Sequence, residues 1–323
     1  MKKRIVFSFS GMFLILFLLF VWNVFSGSVQ TVEPEVFKKI LMNIRLPRIF
    51  AAMVLGGALS VSGFLLQTFF SNPIAGPYVL GISSGAKLFV ALTMIFAMGW
   101  GMVLNSVMMV LSSFAGSLLV MLFVLLLSYR VKSMSVLVVC GILTGYICSA
   151  ITDFLVTFAN DSNIVNLHNW SLGSFSGTDW NDVIVMSAIV FPALLFTFFL
   201  SKPIGAYQLG ESYARNMGVN IKLLRILLIL LSSLLSACVT AFAGPVSFVG
   251  IAVPHLVKNA TGTARPVIAI PACFLLGACV TLLCDGIART ILSPGEVAIG
   301  SVTAVLLVPV VIWMMLKRGR KDA

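Results

Sequence analysis

The sequence predicts an all-α membrane protein that crosses the bilayer about ten times, and three observations support this prediction. Of the 323 residues, 60% are hydrophobic and only 10% are charged, whereas soluble domains average about 25% charged residues. Many apolar runs approach or exceed the roughly 20 residues that span a bilayer as a helix. The runs are continuous rather than alternating, which favours helices over a transmembrane barrel.

We predict a single transmembrane domain, residues 1–323, because no change in composition marks a soluble domain or a linker. The first run could also be a signal peptide, but its apolar length favours a retained helix. The eighth run is short because prolines interrupt it. A polar stretch at 163–177 is expected to form a short helix near the surface. The predicted membrane segments are 5–25, 46–70, 82–99, 102–128, 134–159, 181–201, 221–243, 246–258, 266–289 and 297–316.

The basic residues orient these segments. An even number of crossings places both termini on one side, and the positive-inside rule assigns that side to the cytoplasm. Only five of the 21 Lys and Arg residues then fall outside. We therefore expect a multi-pass protein of the inner or plasma membrane with cytoplasmic N- and C-termini. The five exceptions are Lys38, Lys39, Arg45, Arg48 and Arg289.

A polar stretch inside a predicted cytoplasmic loop, about residues 202–222, interrupts the apolar runs. Leu209, Tyr213 and Met217 recur at i, i+4 and i+8 and form one stripe of a helix of two to three turns. An apolar stripe outside the membrane is suited to docking a partner. The alternative is an ordinary amphipathic helix that rests on the lipid interface.

The same stretch carries charge and a helix stop. Glu211 and Arg215 are four residues apart, in the order that favours an ion pair along a helix. Gly218 follows the last turn, where a residue with left-handed backbone commonly ends a helix. The charged side chains lie on a different face from the apolar stripe.

Three arginines are predicted on the outer face, against the general charge bias. Arg45 and Arg48 begin the second segment, and Arg289 ends the ninth. One interpretation is that they snorkel at helix ends, with Asp285 pairing Arg289 at i, i+4. The other is a docking site for the carboxylates of a partner, because the guanidinium group matches carboxylate geometry.

The second segment has a face of small residues. Ala52, Gly56, Ser60 and Gly63 share it, and such faces allow helices to approach closely in lipid. Gln67 continues the face, and a buried amide must be paired or face water. Gln67 is therefore a candidate for a transport pathway. The stretch that follows, SNPIAGPYVLGISSGAK, contains two prolines and cannot continue as a helix.

Several chemistries find no support in the sequence. The six cysteines lie in apolar runs without the spacing of metal or disulfide sites. His168 and His255 have no partners placed for metal binding or catalysis. No P-loop is present, so any ATP chemistry requires a separate chain. The net charge of +11 is explained by cytoplasmic loops rather than nucleic acid. We expect no enzyme, metal site or cofactor.

Five stretches in colinear order resemble the FecCD family, the permease subunits of ABC importers for ferric siderophores, haem and cobalamin. The resemblance spans about residues 40–316 and implies a type II ABC importer permease fold. The stretches are RLPRIFAAMVLGGALSVSGFLLQTFFSNPIAGPYVLGISSGA, NWSLGSFSGTDW, LGESYARNMGVN, AGPVSFVGIAVPHLVK and DGIARTILSPGEVAIGSVTA.

The resemblance also implies roles for individual residues. The loop helix would couple the permease to an ATPase, and the outer arginines would meet acidic residues of a substrate-binding protein. A third set would lie near a cytoplasmic gate. The implied coupling residues are Leu209, Gly210, Glu211, Ala214, Arg215 and Gly218; the docking residues are Arg45, Arg48 and Arg289; the gate residues are Asn72, Pro73, Ile74, Ser133, Met134 and Ser135.

The resemblance therefore implies a permease that takes up an iron complex, a ferric siderophore before haem and cobalamin. Its partners would be a second permease subunit, identical or related, two cytoplasmic ABC ATPases, an extracytoplasmic substrate-binding protein and membrane lipid. A secondary transporter driven by an ion gradient is the alternative. It requires intramembrane carboxylates, and only Asp153 and Asp285 are candidates.

Overall fold

The computed structural model describes residues 2–26, 33–99, 106–131, 134–159, 161–292 and 295–322. These residues form helices and no strand, which confirms the predicted all-α class. The α-helices are α1 (Lys2–Phe25), α2 (Pro34–Ile40), α3 (Leu46–Phe70), α4 (Ile82–Gly99), α5 (Ser106–Arg130), α6 (Met134–Val156), α7 (Asp161–Leu172), α8 (Trp180–Phe199), α9 (Ser201–Gln208), α10 (Glu211–Asn216), α11 (Ile221–Ala243), α12 (Val249–Thr261), α13 (Pro266–Thr290) and α14 (Ile299–Asp322).

Ten of these helices coincide with the ten predicted segments. In the described part of the chain, eight helical stretches are long and apolar enough to cross a membrane. The remaining two segments are α4, with a shorter apolar stretch at Ile82–Phe96, and α12, with 13 residues interrupted by Pro254. The predicted surface helix corresponds to α7. One π-helical turn, Leu41–Arg45, joins α2 to α3 without a break.

Helix α3 occupies the centre of the bundle and packs against α8, α11, α12 and α13. Its small-residue face produces the closest approaches. A Cβ added to Gly56 would lie 1.9 Å from Oγ1 of Thr281, and one added to Gly63 would lie 1.8 Å from the carbonyl oxygen of Gly250. Because neither position has room for a side chain, the backbones of α12 and α13 lie directly against α3. The predicted packing face is confirmed.

The chain leaves helical geometry after α3, as the prolines predict. Ser71 ends α3 with a left-handed φ of 49°, and a single 3-10 turn, Pro77–Leu80, precedes α4. Gly81 has a φ of 72° and lies against the backbone of Gly145 in α6. The segment is therefore irregular but packed against protein, where non-helical backbone is tolerated in a membrane.

Candidate functional site

The polar loop contains two short helices rather than the predicted single one. Helix α9 ends at Gln208, and α10 covers only Glu211–Asn216. Gly210 separates them with a φ of 117°, a backbone conformation that a helix does not contain. Leu209 consequently lies outside α10, and the predicted length of two to three turns is wrong. Gly218 has a φ of 81°, which confirms the predicted left-handed stop.

The apolar stripe of this loop is exposed. The side chains of Leu209, Tyr213 and Met217 are 70%, 47% and 64% exposed. On the opposite side of α10, Ala214 is fully buried, and its carbonyl accepts from the amide of Val219 at 3.0 Å. The loop is thus anchored by one face while it presents large apolar side chains on the other. Such a surface fits both predicted interpretations, a docking site for a partner and a helix that rests on the lipid interface.

Glu211 is paired with α11 and not with its own helix. Its Oε1 accepts a hydrogen bond from Nη2 of Arg225, fourteen residues along the chain. Arg215 is exposed. The predicted Glu211–Arg215 ion pair is therefore wrong. The physical reason is that Glu211 is the first residue of a six-residue helix and faces the first turns of α11.

Tyr207 and Gln208, at the end of α9, connect the loop to the last turn of α3. The Tyr207 hydroxyl lies 3.3 Å from the carbonyl oxygen of Phe69 and 3.2 Å from Oε1 of Glu211. Nε2 of Gln208 donates to Oγ1 of Thr68 at 3.2 Å. Burial raises the pKa of the Tyr207 phenol, so the hydroxyl remains a protonated donor at neutral pH.

The predicted gate residues follow α3 directly. Asn72 accepts from the amide of Ile74 at 3.0 Å through its side chain, which forms an Asx turn. The carbonyl oxygen of Pro73 lies 2.8 Å from Nε2 of His255 on α12. Ile74 is half exposed. Of the second gate group, Ser135 is exposed, whereas Ser133 and the side chain of Met134 lie outside the described residues.

A polar cavity of about 320 Å³ adjoins this segment. It is enclosed by the end of α3, by α12 and by the start of α13. The predicted pathway residue Gln67 lies on its wall, where Nε2 donates to the carbonyl oxygen of Ile251 at 3.1 Å. The other lining residues include Asn72, Pro73, Gln208, His255 and Lys258.

The three outer arginines are buried and have partners within the chain. Arg48 binds Asp285 through Nε at 3.0 Å and Nη2 at 2.9 Å, and Glu296 through Nη1 at 2.7 Å. Arg289 lies 3.2 Å from Asp285, which confirms the predicted i, i+4 pair. Arg45 donates to the carbonyl oxygen of Val24 at 2.8 Å and lies over the ring of Phe37.

Ion pairs within the chain account for the burial of two of the three arginines, Arg48 and Arg289. Arg48 and Arg289 hold carboxylates of the same chain, whereas Arg45 contacts a carbonyl oxygen and a ring. The docking role of the three arginines stays a prediction. Sequence reasoning missed Asn23, which is fully buried on α1 and accepts from Arg289. It also missed Glu296, whose side chain is 42% exposed. An Asn inside an apolar run was the available signal.

Metal chemistry is unsupported by the geometry. Within the described ranges, no group of three His, Cys, Asp or Glu residues is placed to hold a metal ion. The six cysteines are free thiols, and five of them are buried. They pack as small apolar residues.

The chain is similar in sequence to permease proteins of known transport systems. The chain is 36% identical over 294 residues to the vitamin B12 import system permease protein BtuC of Escherichia coli O17:K52:H18, which covers 91% of this chain and 88% of that one. It is 33% identical over 280 residues to the hemin transport system permease protein HmuU of Yersinia pestis, covering 86% and 84% of the two chains.

A solved structure described as an inward-facing conformation of a metal-chelate type ABC transporter shares the fold. Its chain superposes with a TM-score of 0.87 at 27% identity and covers 98% of this chain and 100% of its own. The predicted fold class, a type II ABC importer permease fold, is confirmed. Fold and relatives define a multi-pass membrane transport protein. The chain belongs to the FecCD transport family, whose sequence model matches residues 6–317.

Proposed function

We propose that this chain is the transmembrane permease subunit of an ABC importer for iron complexes, and that a separate ATPase drives it. The observation that supports this proposal best is the exposed apolar surface of Leu209, Tyr213 and Met217 on an element joined to the end of α3. The chain has no nucleotide-binding motif of its own. A partner that hydrolyses ATP requires such a surface to move the permease.

The ATPase is proposed to seat α10 in a groove. Binding would bury the three exposed apolar side chains in the interface, and Arg215 would place a charge at the rim of that interface. Ala214 holds the helix on the permease, while Gly210 and Gly218 set its two ends. Movement of the ATPases would switch the permease between states for which they have different affinities.

The outer arginine cluster is proposed to receive a substrate-binding protein. Three guanidiniums against two carboxylates, Asp285 and Glu296, leave the cluster with one net positive charge. An acidic partner is attracted to such a surface. Arg45 is the member of the cluster that contacts a carbonyl and a ring rather than a carboxylate. We therefore assign to Arg45 the main contribution to binding of the substrate-binding protein.

A second permease subunit is proposed to pack on α6. Val139, Leu143, Ile147 and Ile151 form an exposed apolar stripe along this helix at four-residue spacing, and Ser135 continues it. A path between two copies would then run along α6 and the gate residues. The remaining apolar surface faces lipid. Both termini are proposed to be cytoplasmic, as the positive-inside rule indicates.

The substrate is proposed to be a ferric siderophore before haem or cobalamin. The relatives are named for vitamin B12 and hemin, and the structural neighbour for a metal chelate, so the three substrates must be compared directly. An ion-gradient transporter is the alternative function. It has less support, because Asp285 is held by Arg48 and Arg289 and Asp153 is exposed.

Reconstitution tests both the proposed ATP-driven import and the proposed substrate. The permease, its ATPase and its binding protein are placed in proteoliposomes with ATP inside, and uptake of a radio-iron siderophore, haem and cobalamin is measured. We expect ATP-dependent uptake that persists when ionophores collapse ion gradients. Uptake driven by a gradient without the ATPase would contradict the importer. Faster uptake of haem or cobalamin than of any siderophore would contradict the substrate alone.

A further inference from the structure

The carbonyl oxygen of Phe69, in the last turn of α3, receives no hydrogen bond from the backbone of its own helix. In a helix the carbonyl of residue i accepts from the amide of residue i+4. For Phe69 that residue is Pro73, which has no N–H. The amide of Asn72, at i+3, donates instead to Gln67 at 3.1 Å, and the amide of Ser71 donates to Thr68 at 3.2 Å. Phe69 therefore requires a donor from elsewhere.

The hydroxyl of Tyr207 meets that requirement. It lies 3.3 Å from the Phe69 carbonyl oxygen, and the Tyr207 side chain is buried. The same hydroxyl lies 3.2 Å from Oε1 of Glu211, the first residue of α10. A phenol has one proton to donate. The two oxygens consequently compete for one hydrogen bond, and the outcome depends on the position of α10 relative to α3.

A second contact joins the same two elements. Gln208, next to Tyr207, donates to Thr68, next to Phe69. Two consecutive residues of α9 thus hold two consecutive residues of α3. Only a few residues further on lies Pro73, whose carbonyl is in contact with His255 of α12. The end of α3 therefore lies between the loop on one side and the gate segment on the other.

We propose that Tyr207 is a positioning residue that transmits movement of α10 to the cytoplasmic end of α3. Its hydroxyl donates to Phe69 in one state of the transporter and to Glu211 in the other. Gln208 keeps the two elements in register while the proton is redirected. This inference rests on the proposed function, because it assumes that an ATPase moves α10.

The test is Tyr207→Phe in the complete transporter, reconstituted with its ATPase and binding protein. The ring stays in place and only the hydroxyl is lost, so folding and assembly are expected to be unchanged. In the variant the Phe69 carbonyl loses its donor in one state, whereas Glu211 keeps Arg225 in the other. The state in which Tyr207 donates to Phe69 is therefore disfavoured by about one ordinary hydrogen bond, and the number of substrate molecules taken up per ATP hydrolysed should fall about fivefold. ATP hydrolysis itself should continue.

Ser128→Ala is the matched control. It removes another hydroxyl-to-carbonyl hydrogen bond, from Ser128 to Leu125 within α5, and should leave the uptake per ATP unchanged. Hydrogen exchange provides a second readout. Amide exchange in residues 71–76 should respond to nucleotide in the unaltered transporter and should lose that response in Tyr207→Phe. A merely structural role would shift exchange equally with and without nucleotide.

Two failures are distinguishable. If Met217→Glu abolishes coupling but Tyr207→Phe transports with unchanged uptake per ATP, the role of Tyr207 is refuted and the importer stands. If Met217→Glu also leaves ATP-driven uptake intact, α10 is not the coupling element, and the proposed mechanism is refuted with it. A response of residues 71–76 that is the same in Tyr207→Phe and in the unaltered protein would also refute the inference.

Discussion

Arg48 on α3 and Asp285 on α13 form an ion pair in which Nε and Nη2 of the arginine donate to the same carboxylate oxygen, at 3.0 and 2.9 Å. Both side chains are buried. The same carboxylate also neutralises Arg289. One acidic residue thus offsets two guanidiniums that are largely withdrawn from water, which makes it the electrostatic centre of the arginine cluster.

Removal of this carboxylate should be strongly destabilising. Asp285→Ala leaves Arg48 and Arg289 buried without their shared partner, and breaking a buried pair in this way typically costs about 3–5 kcal/mol. We expect a lower thermal unfolding temperature in detergent and a lower yield of folded protein. Glu296→Gln is the matched control, since its side chain is 42% exposed. Equal losses in both variants would contradict the assigned roles.

Arg45 and Arg48 should respond differently to mutation. Arg45→Gln should weaken binding of the substrate-binding protein about tenfold at low salt, with less effect at high salt, because a screened charge is lost. Arg48→Gln should instead lower stability, because it leaves Glu296 without its partner and Asp285 with Arg289 alone. Binding is measured by surface immobilisation of the permease, and stability by thermal unfolding. Normal docking by Arg45→Gln at low salt would exclude its part in the interface.

The exposed side chains of Leu209, Tyr213 and Met217 should be required for the proposed contact with the ATPase. Met217→Glu places a charge in an apolar contact and should weaken ATPase binding about thirtyfold, the loss typical of one hot-spot residue. Membrane insertion and thermal stability should stay unchanged, since the position is 64% exposed. Ile291→Glu introduces the same charge at an equally exposed position beyond α13, and it should leave ATPase affinity as it was.

The contact between α3 and α12 should tolerate no side chain. Gly63→Ala would place a Cβ 1.8 Å from the carbonyl oxygen of Gly250, so the helices must separate, at a cost of about 1–3 kcal/mol. Gly11→Ala in α1 is the control, because a Cβ there meets no described atom within 4 Å. Thermal unfolding of the two variants gives the comparison. A Gly63 variant as stable as the Gly11 variant would contradict the close approach.

Long apolar runs made most of the fold predictable. Helices α3 and α11 begin and end at the predicted residues, because proline, glycine and polar residues delimit their hydrophobic stretches. The broken segment after Ser71 followed from its prolines in the same way. These features depend on local chemistry, which a single sequence contains.

Contacts between distant residues were not predictable in the same way. The sequence predicted that Glu211 pairs with Arg215 at helical spacing, but Glu211 binds Arg225, because α10 packs against α11. The sequence placed the outer arginines at the correct helix ends. Their burial, however, depends on Asp285 and Glu296, which approach them only because α13 packs against α3 in the assembled bundle. The Tyr207–Phe69 contact depends on tertiary structure for the same reason.

The absence of side chains between Gly63 and Gly250 has a mechanical consequence. Two helices that touch through their main chains have no side-chain layer that could accommodate sliding, so we expect α3 and α12 to move as one rigid body. His255 is part of α12 and holds the carbonyl of Pro73. If the proposed importer tilts these helices, the loop beyond α3 should move with them, because it is attached both to the end of α3 and, through Pro73, to α12.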